Sequence, residues 1–273
     1  MNHRLPPPGE IRDHYNDLLK DLDGEYIQQR WGENPIARRH FRQTELAIAH
    51  GLKRRGKPGD VLEIGCGPAV WTTLFLEEAQ SVHLADISEE MLRQARARIS
   101  QWQGGRHAGK VEYTCGDFLD VELAPQSFDT IVTARAFEYM SNKQAFVSKC
   151  FSLLRPGGVL LLVTKNRTWH DSVKVTRWLS TIPREEIPVG RAMQLDLVDW
   201  RQTASMFKVA GFVDSGAYPV ILGTYEVDVL ASRPALAMVD LLHRSTYRQR
   251  LGGIPSLFHR LMESFLIIGR KPA

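Results

Sequence analysis

The chain has 273 residues, 43% apolar and 24% charged, which is enough apolar side chain for one sizeable core. Thirty-five basic residues against 31 acidic ones leave a net charge of +4, scattered along the chain and short of a nucleic-acid footprint. Cys66, Cys115 and Cys150 cannot all pair and none sits in a CxxC, which disfavours both a disulfide framework and a structural zinc site.

The opening, MNHRLPPPGEIRD, lacks the apolar segment of a secretory signal, and with the unpaired cysteines it leads us to expect a cytoplasmic protein. Pro6-Pro7-Pro8 reads as the end of a loose leader. A first helix is expected from Ile11 to about Asp21. Asn34 as cap and Pro35 at the first helical position start a second, running to about Leu52 and stopping at the KRRGKPG turn. The Arg38-Arg39-His40 cluster reads as its solvated face.

From Asp60 short apolar runs alternate with amphipathic stretches. Strands are expected at Val61–Ile64, Ser81–Ala85, Val111–Thr114, Phe128–Thr133 and Val159–Thr164, and helices at Ala69–Ala79, Ser88–Ser100 and Lys143–Leu154. Ser88 is placed to cap its helix, with Glu89 and Glu90 favouring the positive end. This alternation implies a doubly wound, mostly parallel sheet covered on both faces. Arg155-Pro156-Gly157-Gly158 reads as a stop and turn before the fifth strand. The run Val159–Val163 is only five residues long, against the roughly 20 of a membrane-spanning helix. Lys165 to about Asp196 is a long connection with a candidate helix at Ser172–Ser180. A helix at Leu197–Ala210 ends at Gly211. Val213–Leu222 and Ser264–Arg270 complete seven strands, and the long stretch Gly223–Glu263 between them should carry its own structure. The expected organisation is a helical lead-in over 1–59 and one α/β domain over 60–273, with insertions 165–196 and 223–263 forming a helical cap.

The segment Val61-Leu62-Glu63-Ile64-Gly65-Cys66-Gly67-Pro68-Ala69 carries the chemistry. A buried strand enters a Gly-x-Gly turn, and glycine lets a ligand approach the backbone closely. Such a turn alone is shared by nucleotide-binding sheets of several kinds. Three features narrow it. Asp86, 21 residues after Gly65, ends the second strand, where a carboxylate can accept from ribose hydroxyls. Val70 stands where a dinucleotide fingerprint wants a glycine. Glu63 beside the turn would repel a diphosphate and suits a ligand with an ammonium group. A nucleoside with an amino-acid tail and no phosphate satisfies all three.

VLEIGCGPA, HLADIS, CGDF (Cys115–Phe118), FDTIVTARAFEYM and LLRPGGVLLL together resemble the ordered motif set of class I S-adenosylmethionine-dependent methyltransferases over roughly residues 60 to 165. Glu25-Tyr26, Arg30-Trp31 and Pro35 resemble, more loosely, the lead-in of small-molecule members. The resemblance implies a Rossmann-like sheet with an antiparallel last strand and S-adenosyl-L-methionine as cofactor. It implies that Tyr26 and Arg30 lie against that cofactor and that Gly65, Cys66 and Gly67 form the turn under its methionine part. Glu63 would contact the amino group, Asp86 hold the ribose and Ile87 pack on the adenine. Asp117 would accept from the adenine amino group, with the Phe118 backbone at the ring. Ala134 and Arg135 would lie beside the sulfonium. One position departs from the pattern: the family's third glycine is Ala69 here. Blander readings exist: Glu63 pairing with a cation, Asp86 and Asp117 as strand-end caps, Cys66 as an inert apolar filler. Phe137 and Tyr139 suit core and site equally.

Ligands of open α/β sheets sit beyond the carboxyl ends of the strands, so the two insertions read as walls or a lid over an acceptor. Trp169, Trp178 and Gly253–Phe258 would line it. The alternatives are a helix pair extending the core, a dimer contact, or a peripheral lipid contact near Arg244, Arg248 and Arg250. An alcohol acceptor wants a base, for which His170, Glu138 and Asp171 are placed. His170, Glu138 and Arg135 are the catalytic candidates. No Asn/Asp-Pro-Pro-aromatic motif follows strand four, where Thr133-Ala134-Arg135-Ala136 stands, and no HExxH occurs. The expected protein, monomer or homodimer, methylates an O or N atom of a small molecule such as a secondary metabolite, sugar or lipid-like acceptor. The rivals are an NAD(P)-dependent oxidoreductase, a non-catalytic methyltransferase-like partner subunit and, less favoured, an RNA methyltransferase.

Overall fold

The computed structural model describes residues 6–21, 26–28, 30, 35–169, 195–222, 241, 247–253, 259 and 262–273. Its sheet comprises β1 (Asp60–Ile64), β2 (Ser81–Asp86), β3 (Val111–Cys115), β4 (Phe128–Ala134), β5 (Leu154–Lys165), β6 (Val213–Leu222) and β7 (Met262–Arg270), in the order β3-β2-β1-β4-β5-β7-β6. The first five strands are parallel, and β7 runs antiparallel between β5 and β6. This is the doubly wound, Rossmann-like sheet the sequence implies. Flanking it are α1 (Pro8–Asp21), α2 (Pro35–Arg55), α3 (Glu89–Gln101), α4 (Lys143–Leu153) and α5 (Trp200–Ala210).

The central strands are nearly continuous aliphatic runs because both their faces are covered. Val61, Val132, Leu161 and Leu266 point to one face, where Ile48 of α2 and Leu92 and Ile99 of α3 pack on them. Leu62, Ile131, Leu160 and Ile267 point to the other, against Phe146 and Cys150 of α4 and Phe207 of α5. Local signals set the helix ends. Ser88 caps α3 by accepting from Met91 N, and Asn142 caps α4 through Ala145 N. Asp199 and Gln202 form a reciprocal capping box on α5, and left-handed Gly211 ends it.

Four expectations need correcting. No α-helix spans Ala69–Ala79. Ala69 itself is left-handed, and the segment is a series of turns around a short 3₁₀ helix, Thr72–Leu74. The β-branched Val70, Thr72 and Thr73 disfavour an α-helix, and the Thr72 hydroxyl is drawn to Glu63 on β1. Arg155–Gly158 does not precede the fifth strand but interrupts it: pairing with β4 jumps from Phe128↔Leu154 to Thr130↔Val159. The triproline is not loose, since Pro8 starts α1 and both Pro6 and Pro8 wall the cleft described below. In the basic cluster of α2, His40 is buried, its Nε2 3.6 Å from a Glu263 carboxylate oxygen.

Most of the expected cap falls on 170–194, 223–240 and 254–258, outside the described residues, as do Trp178, Phe258, Arg244 and the candidate helix Ser172–Ser180. Trp169 is buried. Near the expected lipid contact, Arg250 is paired with Asp214 at 2.6 Å and Arg248 lies over the Tyr247 ring. No helix among the described residues is long and apolar enough to cross a membrane.

Phe146 is fully buried and packs on both Phe118 and Phe137. Phe146→Ala is expected to cost about 3–5 kcal/mol, read by urea unfolding. A loss below about 1 kcal/mol would contradict this packing.

Candidate functional site

One cleft opens at the carboxyl ends of β1, β2, β3, β4 and β5, where the chain order reverses beside β1. Its floor is the turn after β1. Gly65 N and Cys66 N both donate to Ala85 O, at 2.8 and 3.3 Å, binding the turn to the end of β2. Gly65 has φ +66, and a Cβ there would lie 2.3 Å from the Ala136 Cβ, so only glycine lets the turn and the β4 exit meet. At Gly67 (φ +51) a Cβ would find only Met91, at 3.8 Å, so what glycine serves there is the backbone angle and an open approach. Ala69 adopts φ 55 where the resembling family has glycine.

Asp86 closes β2 and is held from two sides. One oxygen accepts from Gly67 N at 2.8 Å, the other from Ser88 N at 3.0 Å. A carboxylate offers about four acceptor sites, so acceptor capacity remains beyond the backbone donors Gly67, Ser88 and Ile87. Burial pushes the Asp86 carboxyl up, while its backbone donors pull it down. Ser88 also donates to Asn16 at 2.6 Å, which ties α1 over this corner.

Ile87, Asp117 and Phe118 line the far end beyond β2 and β3. Asp117 accepts from Leu119 N at 3.0 Å, which keeps the loop tight. Cys66 lines the floor but is buried, and burial drives its thiol well up, so it is not a poised nucleophile. Glu63 is only 1% exposed and lies behind the turn, accepting from the Thr72 hydroxyl. Burial pushes its carboxyl up to about 8, with Asp86 adding to the rise and the Thr72 bond opposing it.

Beyond β4 and β5 the cleft changes character. Arg135 is left-handed (φ 64) and donates to Val163 O through its backbone. Its guanidinium reaches Ser264 Oγ at 2.6 Å and lies 3.7 Å from Glu263 and 3.9 Å from Glu138. Glu138 is buried: Oε1 accepts from Lys165 N at 3.3 Å, and Oε2 has no hydrogen-bond partner among the described residues. Tyr26, Arg30 and Ala134 also line the cleft. His170 and Asp171 lie outside the described residues. The fold therefore brings together the other cofactor-binding and catalytic candidates, with Glu63 one layer behind.

Several cleft residues escaped the sequence reading: Trp71, Tyr15, Met91 and Lys165. Tyr139, left open between core and site, lines the cleft, whereas Phe137 is core. Lys165 carried a usable signal, being the charge that closes an otherwise aliphatic strand. Tyr15 carried none, because it arrives from α1.

Residues 61–158 match the family model of a methyltransferase domain. A Mycolicibacterium smegmatis protein named as a probable S-adenosylmethionine-dependent methyltransferase is 33% identical over 127 residues, 46% of each chain. A ubiquinone biosynthesis O-methyltransferase of Agrobacterium fabrum is 30% identical over 167 residues, 57% of this chain and 58% of that one. The chain thus spans about half the length of the curated relatives it matches. Among solved structures, magnesium protoporphyrin IX methyltransferase of Synechocystis, with S-adenosylhomocysteine bound, superposes with a TM-score of 0.63 at 15% identity, covering 97% of this chain and 100% of that one. The segment with the five motifs is thus similar to methyltransferase domains, in line with the resemblance read from the sequence.

Two outcomes follow from the geometry. Gly65→Ala should destabilise the chain by about 1–3 kcal/mol, through a positive φ and a collision with Ala136. A melting curve like that of the parent would contradict the close approach. For Glu63, an unfolded carboxyl titrates near 4.5 and the folded one near 8, so the folded protein keeps a proton that the unfolded chain releases between those values. Stability should fall as pH rises through that window. Glu63→Gln should flatten the slope and gain more than about 1 kcal/mol at pH 8. Equal slopes for the two proteins in pH-dependent denaturation would contradict it.

Proposed function

We propose that the chain is an S-adenosylmethionine-dependent methyltransferase that methylates an O or N atom of a small-molecule acceptor. The observation that carries this reading is Asp86: a carboxylate clamped by Gly67 N and Ser88 N at the wall of a glycine-floored cleft, with acceptor capacity left for a diol. The residues present fit the cofactor. The Cβ-free floor over Gly65 and Gly67 suits its methionine part, with Ala134 and Arg135 on the sulfur side. Asp86 would take the ribose, while Ile87, Asp117 and Phe118 would frame the adenine. Tyr26 and Arg30 close the near side. Glu63, behind the turn, would serve the amino group from a distance that leaves room for water.

When bound, this cofactor supplies a methyl group on a sulfonium, already activated for in-line displacement. The protein's part is then chiefly alignment, for which well-oriented groups reach effective molarities of about 10⁵ M or more. For a hydroxyl acceptor, Glu138 is the base on the described cleft wall: its Oε2 is unengaged and Arg135 stands beside it to offset charge. His170 remains a second candidate.

The nicotinamide alternative is weaker. A pyrophosphate is bound best at a helix N-terminus, and the turn here leads into a 3₁₀ segment with buried Val70 at the crowded position. The non-catalytic reading has no observation in its favour.

Calorimetry should give micromolar binding of S-adenosylmethionine to the intact chain. Asp86→Asn, which keeps one acceptor oxygen but loses the charge and one backbone clamp, should weaken binding at least tenfold. Unaltered affinity in that variant, or no heat with the parent, would overturn the proposal.

A further inference from the structure

The acceptor end of the cleft holds more positive than negative charge. Arg30, Arg135 and Lys165 line it, against the carboxylates of Glu138 and Glu263. Both carboxylates lie near the Arg135 guanidinium. Glu263 lies 3.7 Å from Arg135 and 3.6 Å from His40, while Glu138 lies 3.9 Å from Arg135 and takes the backbone N–H of Lys165. The Lys165 ammonium makes no hydrogen bond and no ion pair to any described residue. It ends β5 in a partly buried position. Burial pulls it down to about 8; Arg135 and Arg30 push the same way, and Glu138 and Glu263 oppose them. A cation held out of water beside another cation is costly unless a counter-charge arrives.

The rest of the wall is apolar or aromatic: Ile11, Tyr15, Tyr26, Trp71, Tyr139 and Met140. The Tyr15 and Tyr139 rings meet edge to face at 5.9 Å, and Trp71 stacks on Phe41 at 4.7 Å. Such a wall suits a flat or greasy body rather than a sugar.

We propose that the acceptor is an organic carboxylate with an apolar body, whose anionic group is seated on Lys165 beside Arg135, and that Lys165 is the residue that selects it. The proposal rests on the methyl-transfer reading only for the word acceptor; the anion preference stands on the cleft's own charges. A carboxylate supplies the hydrogen-bond acceptor that the ammonium does not find among the described residues, and a charge-assisted hydrogen bond is about twice as strong as a neutral one. An ammonium-bearing acceptor meets the opposite field and is disfavoured.

The test titrates the full chain, with and without S-adenosylhomocysteine, against matched pairs: benzoate and benzamide, 4-hydroxycinnamate and its amide, octanoate and octanamide. At least one carboxylate should bind tenfold or more tighter than its amide. The pairs also tell aromatic from alkyl bodies. Lys165→Met should bring that ratio to threefold or less, and Lys165→Arg should keep it. S-adenosylhomocysteine affinity should change less than threefold in both variants. Equal or absent binding across every pair overturns the proposal, as does a preference that survives Lys165→Met. If Lys165→Met does not fold, the parent and Lys165→Arg still decide. Failure of S-adenosylhomocysteine to bind would remove the methyl-transfer reading instead, and the carboxylate preference would remain readable without it.

Discussion

The Asp86 carboxylate accepts two backbone N–H groups, one from the glycine turn and one from the start of α3, and the cleft depends on that clamp. It fixes three pieces of chain at once: the end of β2, the turn after β1 and the capped end of α3. Ser88 extends the clamp outward. Its hydroxyl caps α3 and reaches Asn16, so the N-terminal helix is anchored to the same corner. Buried polar groups that are fully satisfied specify a single arrangement. A ligand that bonds to Asp86 therefore meets a carboxylate whose position has already been fixed, and less of its binding energy is lost to ordering.

The two halves of the cleft treat charge differently. Around the glycine turn, the acids are buried and pushed upward: Glu63 to about 8, and Asp86 in the same direction. Both are suited to a partner carrying hydroxyls or a positive group. Past β4 and β5 the order is reversed, with Arg30, Arg135 and Lys165 outnumbering Glu138 and Glu263. The hydroxyls and ammonium group of a sulfonium donor and an anionic acceptor would each find the complementary wall. This asymmetry comes from which side chains close each strand, since the middles of β4, β5 and β7 beneath are mostly apolar.

How much of this could be read from the chain differs by physical cause. The strands were legible because a sheet covered on both faces demands unbroken runs such as Val159–Val163. Ser88 and Gly211 were legible because capping is a local matter. Gly65, Gly67 and Asp86 were legible because the motif records a backbone constraint, and the clamp shows what it is. Ala69–Ala79 was misread because its apolar spacing imitates a helix while Ala69 takes a left-handed angle and Thr72 bonds across to Glu63. His40 was misread because its burial depends on Glu263, more than 200 positions away. Tyr15 and Trp71 reach the cleft through topology and not through any motif, so no local pattern marks them, whereas Lys165 was marked only by its charge at the end of an aliphatic run.

The most direct measurement is a crystal structure of the chain grown with S-adenosylhomocysteine. The account predicts both ribose hydroxyls within hydrogen-bond distance of Asp86, the turn at Gly65–Gly67 beneath the amino-acid tail, and the sulfur beside Ala134 and Arg135. A nucleoside bound elsewhere, or an occupied cleft in which Asp86 has left Gly67 and Ser88 and turned away, would contradict it.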